Sequence, residues 1–147
     1  MGTLFNHGKN MPTSTNVNNS SMPVNFHTIN VLVAIATIKE HIDKDPFKYK
    51  LSSDILNHLN CPNRYILEKE FRKAYGDGIK TYQVKARLNA GKLLIMRGMP
   101  KKMVAHKCLY ASSSAFTTAF KRQFGMTPTE WEHTLSMKDF EDLLNDE

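Results

Sequence analysis

The chain has 147 residues, 41% of them hydrophobic, and a formal net charge of +6. That length supports one ordinary domain with a real core and excludes two large ones. The longest apolar run, "VLVAIA" at 31–36, falls far short of the roughly 18–20 residues a membrane span needs, and no charged segment followed by an apolar stretch opens the chain, so neither a membrane protein nor a secretory signal is expected.

Residues 1–28 are rich in Asn, Ser, Thr, Gly and Pro and show no apolar period. They are expected to form a disordered polar arm or linker, because such a composition cannot bury enough surface to offset its ordering entropy. From about Ile29 the pattern turns helical, with Val31, Ala34, Ile35, Ile38 and Ile42 on one face and Pro46 disfavouring helix at Asp45. "LSSDILNHL" (51–59) predicts a short helix capped by Ser52 or Ser53, with Ile55, Leu56 and Leu59 inward. "NRYILEKEFRKAY" (63–75) predicts a second, capped by Asn63, striped by Ile66, Leu67, Phe71 and Ala74, and stopped by Gly76. A longer helix is expected over about 79–97, using Tyr82, Leu88, Gly91, Leu94 and Ile95, before "GMP" (98–100) breaks it. Two more follow within 101–108 and 112–124, then a last turn opened by Pro128. The acidic tail 136–147 spaces Phe140, Leu143 and Leu144 as a short, weakly docked amphipathic helix. No long stretch alternates with period two. The fold class is all-α, with seven or so helices.

Charge is distributed unevenly. Between Pro62 and Gly125 there are 14 Lys/Arg against 3 acids, a local balance of +11, whereas 136–147 holds one base and five acids. A basic body favours an anionic partner, nucleic acid before a membrane surface. The two cysteines, Cys61 and Cys108, form no CxxC and no metal-ligand spacing, and are expected as free thiols.

The basic segment is written twice. "FRKAYG" (71–76) returns as "FKRQFG" (120–125), and at this offset Leu56 falls on Ala105, Asn63 on Ser112, Leu67 on Phe116, Tyr75 on Phe124 and Tyr82 on Trp131. Only Asn60, opposite Leu109, fails to match in kind. Each copy reads as a short helix, a tight turn, a capped second helix and a glycine stop, which is a helix-turn-helix whose second helix can enter a major groove. Asn63 and Ser112 hold the amide end that approaches phosphate, and the pairs Arg72–Lys73 and Lys121–Arg122 face outward beside the anchoring aromatics. About 18 residues of connecting helix, at roughly 1.5 Å each, span about 27 Å. Adjacent major-groove faces lie about 34 Å apart, so both readers seat together only if the DNA bends by tens of degrees or one reader sits imperfectly.

The runs "G-x-x-I-x-x-Y-Q-x-x-x-R-L" (76–88), "LL" (93–94), "VA" (104–105) and "Y-x-S-x-S-x-F-x-x-x-F-K-x-x-F-G-x-T-P" (110–128) strongly resemble the DNA-binding domain of AraC/XylS-type transcription regulators. The resemblance covers about Ile29 to Glu132 and implies a DNA-binding domain over 29–135. In it, two homeodomain-like helix-turn-helix units (about 52–75 and 101–124) would be joined by a linker helix (about 79–97). It also implies sequence-specific promoter binding and activation through RNA polymerase. By position, Tyr65, Glu68 and Lys69 correspond to base-reading sites of the first unit, and Arg64, outward on the same helix, is expected to read bases with them. Lys69 suits guanine and Glu68 suits cytosine N4. Arg87 matches the family's Arg-Leu pair and is expected to bridge helices. In the second unit Ser113, Ser114, Thr117 and Thr118 stand where relatives often carry Arg or Gln, so this half is expected to grip phosphate, with Ser112, Lys121 and Arg122, more than to discriminate bases. Asn63, Arg72 and Lys73 are the phosphate contacts expected in the first. Leu109 occupies the turn position where the family pattern has glycine, and a left-handed leucine costs roughly 1–2 kcal/mol, which implies a strained or redrawn turn.

Double-stranded DNA is therefore the expected partner, bound as a monomer by a cytoplasmic, nucleoid-associated regulator, with no cofactor, metal site or small-molecule effector apparent. Two other readings stay open: an architectural protein that bends DNA with little sequence selection, and a fragment of a larger effector-responsive regulator. An enzyme is not expected, because His41, His58, His106 and His133 are scattered without nucleophile or acid partners at useful spacing.

Overall fold

The structure is a computed structural model that describes the backbone of residues 26–144 and side chains between 28 and 138. All but the last three residues of the expected polar arm (1–28) lie outside the described residues. The elements in chain order are α1 (Phe26–Lys44), α2 (Ser52–His58), α3 (Arg64–Tyr75), α4 (Ile79–Met96), α5 (Lys101–Lys107), α6 (Ser113–Phe124) and α7 (Pro128–Leu144). Among the described residues every regular element is helical, and no helix is long and apolar enough to cross a membrane.

Two hydrophobic cores share α4. Ile35, Ile38 and Ile42 of α1 meet Ile55 and Leu56 of α2, Leu67 and Phe71 of α3, and Ile79 at the start of α4. Further along, Leu88 and Ile95 of α4 meet Val104, Ala105 and Cys108 around α5, and Phe116 and Phe120 of α6. Gly91 of α4 faces Cys108, Val104 and Phe116. A side chain there would bring its Cβ to 2.6 Å from Cys108 Sγ. Burial pushes that thiol up to about 12, so it packs as a small apolar group. Cys61 and Cys108 are free.

Helix ends follow local chemistry, with two departures from expectation. For α2 neither Ser52 nor Ser53 is the cap. Asp54 accepts the Leu51 amide at 3.0 Å, and its own amide bonds the Leu51 carbonyl. The acceptor is supplied from inside the first turn, as the return half of a capping box does. At the other end of the chain, α7 runs unbroken to Leu144 instead of ending and restarting at the tail. Thr127 and Glu130 cap it reciprocally, and the hydroxyls of Thr134 and Ser136 donate to carbonyls one turn back. Ala74, expected on the apolar stripe of α3, is exposed.

The mismatched pair of the repeat proves equivalent in backbone. Asn60 and Leu109 both adopt left-handed conformations, φ 49° and 64°. In each turn that residue's amide bonds three residues back and the next amide five back: Asn60 to Asn57 and Cys61 to Leu56, Leu109 to His106 and Tyr110 to Ala105, all at 2.9–3.1 Å. These are Schellman closures. The second turn is thus strained as expected, and it is not redrawn.

What joins the two units is the α1–α2 loop. Arg87, only 5% exposed, donates from its guanidinium to the carbonyls of Tyr49 (2.6 Å), Lys50 (3.1 Å) and, through Nε, Pro46 (3.4 Å). Gln83, one turn earlier, donates to the same Tyr49 carbonyl at 2.6 Å. Phe47, from that loop, packs against the second core, while Tyr49 belongs to the first.

Two outcomes test this packing. Arg87→Met is expected to cost at least about 1–3 kcal/mol by orphaning loop carbonyls, and to split a single denaturant transition into two, read by far-UV circular dichroism and Trp131 fluorescence. Leu109→Gly is expected to gain about 1 kcal/mol, because relief of the left-handed strain exceeds the added entropy of the unfolded chain; a loss would mean the leucine side chain contributes more by packing than its backbone costs.

Candidate nucleic-acid interface

Leu67 and Phe71 turn one side of α3 into the core, which leaves the opposite crest exposed. That crest carries Tyr65, 79% exposed, then Lys69, Arg72 and Lys73, all exposed. On α6 the anchors are Phe116 and Phe120, and the equivalent crest is Ser114, Thr118, Lys121 and Arg122, again all exposed. The repeat register therefore places Tyr65 on Ser114, Lys69 on Thr118, Arg72 on Lys121 and Lys73 on Arg122. The scaffold is the same, but the chemistry differs: an aromatic and a cation in the first half, two short hydroxyls in the second.

Both crests begin at a capped amide end with no acidic residue in the first turn. Asn63 Oδ1 accepts the Ile66 amide at 3.3 Å, and Ser112 Oγ accepts the Ala115 amide at 3.1 Å. The caps reach this by different backbones, since Asn63 is left-handed at φ 51° and Ser112 extended at −149°. Each cap spends an acceptor and keeps donors, the Asn63 amide hydrogens and the Ser112 hydroxyl hydrogen, which suits an anion.

Other expected site residues are held differently. Arg64 donates to Asn57 Oδ1 and so ties α3 to α2. Glu68 is half-buried. Its Oε2 accepts the Ile79 amide at 3.3 Å and its Oε1 lies 3.8 Å from Arg72, against the space left by Gly78. That carboxylate caps the buried start of α4, where Gly78 brings no side-chain cap. Ser113 is exposed, Thr117 is half-buried, and the Thr118 hydroxyl donates back to the Ser114 carbonyl at 3.0 Å, leaving its oxygen as an acceptor. Lys73 faces Glu70 at 3.9 Å; a pair this long and exposed contributes little.

Sequence reasoning did not find the Glu68 cap, the Asn57–Arg64 pair or the burial of Gln83. The last had a signal: Gln83 and Arg87 sit four apart, on the face that also carries the apolar positions of α4.

A family profile described as a helix-turn-helix domain matches residues 57–134, from the end of α2 into α7. The chain belongs to the AraC-type helix-turn-helix family. Relatives include the HTH-type transcriptional activator RhaR of Escherichia coli (strain K12), 29% identical over 97 residues, which are 65% of this chain and 33% of the relative. RhaR of Salmonella heidelberg (strain SL476) is 25% identical over 103 residues, 61% of this chain and 36% of the relative. The chain spans about a third of the length of the curated relatives it matches. In fold it is similar to the C-terminal domain of AraT, a response regulator from Geobacillus stearothermophilus, with TM-score 0.62 and 22% identity over 68% of this chain and 84% of that one. A DNA-binding transcriptional dual regulator from Escherichia coli K-12 gives TM-score 0.59 and 24% identity over 70% and 92%. The AraC-type fold thus accounts for both helix-turn-helix units and the helix between them.

Proposed function

We propose that this AraC-type chain is a transcription regulator that binds double-stranded DNA by seating α3 and α6 in adjacent major-groove faces. The observation that carries the reading is the repeated crest: two exposed, base-rich helix faces in one register, each beginning at a capped amide end. Tyr65 and Lys69 read bases in the first unit, Lys69 on guanine O6/N7 and Tyr65 through its ring on a thymine methyl or a sugar. Asn63, Arg72 and Lys73 hold phosphate there, and Arg64 joins them by exchanging Asn57 for the duplex. Glu68 positions α3 against α4 instead of reading cytosine. In the second unit Ser113, Ser114 and Thr118 make short contacts of low discrimination at the groove floor, with Thr117 at their edge, while Ser112, Lys121 and Arg122 grip the backbone.

The 18 residues of α4 rise about 27 Å against the roughly 34 Å between groove faces. With α4 clasped at its middle by the α1–α2 loop, the DNA gives way rather than the protein, bending by tens of degrees at a cost on the order of a few kcal/mol. Its likeness to the transcriptional activator RhaR supports activation, for which contact with RNA polymerase is the expected route, and the chain binds its site as a monomer. The hydroxyl crest of α6 favours one other reading, an architectural protein with weak selection. Selection of genomic fragments, followed by sequencing, separates them: one recurrent asymmetric motif supports the regulator, and uniform recovery contradicts it.

Lys69→Ala is expected to relax preference at one base pair, losing about 1–3 kcal/mol of discrimination, read as a change in the selected motif. Arg122→Ala is expected to weaken all sequences alike and to lower the slope of log affinity against log salt by about one; a loss confined to certain sequences would contradict its place on phosphate.

A further inference from the structure

A cleft of about 360 Å³ opens between the first half of α4 and the second half of α6. Exposed Lys80 and Thr81 of α4 line it together with exposed Arg122 and half-buried Gln123 of α6, over Val84 and Leu88. Its charge is one-sided. Among the described residues no acid lines it, and neither Lys80 nor Arg122 forms an ion pair. Lys85 lines it too, but Asp77 holds that ammonium at 2.7 Å and spends its charge within the protein. The cleft is also continuous with both crests. Arg122 closes the crest of α6. On the other side, the Arg72 guanidinium lies 3.0 Å from where a side chain on Gly78 would begin, two residues before Lys80. Basic side chains thus run from α3 across the start of α4 to α6.

We propose that this cleft is a third contact with the duplex, in which Lys80 and Arg122 hold backbone phosphates between the two grooves that α3 and α6 enter. The inference rests on the DNA-binding reading above and makes α4 a contacting element as well as a frame. Spacing decides which phosphates these are. Readers about 27 Å apart, on groove faces about 34 Å apart, curve the duplex toward the protein. The minor groove between the readers then lies on the inside of the bend, and the backbones that wall it crowd together. Cations at that place offset the repulsion, and each phosphate neutralised releases counterions. Thr81 and Gln123 add a hydroxyl and an amide, neutral donors that suit the same oxygens. Val84 and Leu88 offer no donor to a base edge, so the contact responds to curvature and not to sequence.

The test uses the full chain and its selected duplex. Binding by the unaltered chain is measured first; absence of binding there sinks the DNA-binding reading itself. With binding in hand, Lys80→Gln is expected to lower the slope of log affinity against log salt by about one. The selected motif stays the same, and the bend read by a phasing assay becomes smaller. Lys44→Gln, which removes the same charge from α1 outside the cleft, keeps both slope and bend. A single methylphosphonate, moved stepwise through the backbone between the grooves, probes the contact without altering the protein. At one position it is expected to reproduce the Lys80→Gln loss and to cost the Lys80→Gln chain nothing further. An unchanged slope with Lys80→Gln, an equal loss with Lys44→Gln, or losses that add at every methylphosphonate position overturns the proposal and leaves the DNA-binding reading standing.

Discussion

The arrangement of the two units depends on a buried guanidinium held by three backbone carbonyls. Among the described residues Arg87 has no carboxylate partner; burial lowers its pKa, and the carbonyls of Pro46, Tyr49 and Lys50 supply the acceptors that keep it charged inside the protein. Such a group is costly to leave unpaired, so the loop and the helix stay in register or both pay heavily. Because Tyr49 lies in the first core and Phe47 against the second, gripping this one loop fixes both units to the middle of α4. The linker is a clasped beam. A helix joined only at its ends would let the crests swing, and their separation would carry no information about the DNA.

On that fixed frame the repeat separates scaffold from surface. Phe71 and Phe120 are equally buried, and Gly76 and Gly125 close their helices with the same amide bond, at 2.8 Å to Arg72 and Lys121. The crests above them diverge, Tyr65 and Lys69 in one, Ser114 and Thr118 in the other. Hydroxyls four residues apart discriminate bases weakly, and one of them already donates within its own helix. On the proposed DNA-binding reading, selectivity is therefore concentrated in α3, and α6 contributes mainly grip and geometry. Further locks hold the edges of the frame: Tyr82 donates to Asp43 at 2.8 Å between α4 and α1, and Lys92 lies 3.7 Å from the Trp131 ring centre between α4 and α7.

Where apolar spacing or a cap decides an element, the residues showed it. The stripes at Ile35/Ile38/Ile42 and Leu67/Phe71 and the caps Asn63 and Ser112 follow from periodicity and side-chain chemistry, and so does the all-α fold, whereas a bridging role for Arg87 is implied only by the family resemblance. Other features depend on long-range partners that letters do not display. Asn60 and Leu109 look unlike, yet the tertiary fold imposes one backbone on both and the leucine absorbs the strain. The sequence places Glu68 on the outward face of α3, and nothing in the letters shows that the Ile79 amide at the start of α4 arrives beside it. Asp54 outcompetes two serines as a cap because a carboxylate at the third helical position reaches back to the free amide.

The central claim is that both crests press on one stretch of duplex from a single rigid frame. Hydroxyl-radical footprinting of the full chain on one selected site tests it most directly. The account predicts two protected clusters about one helical turn apart on the same face of the duplex, with protection over α6's cluster retained when Lys69 is replaced. A single cluster, or two clusters on opposite faces, would contradict it.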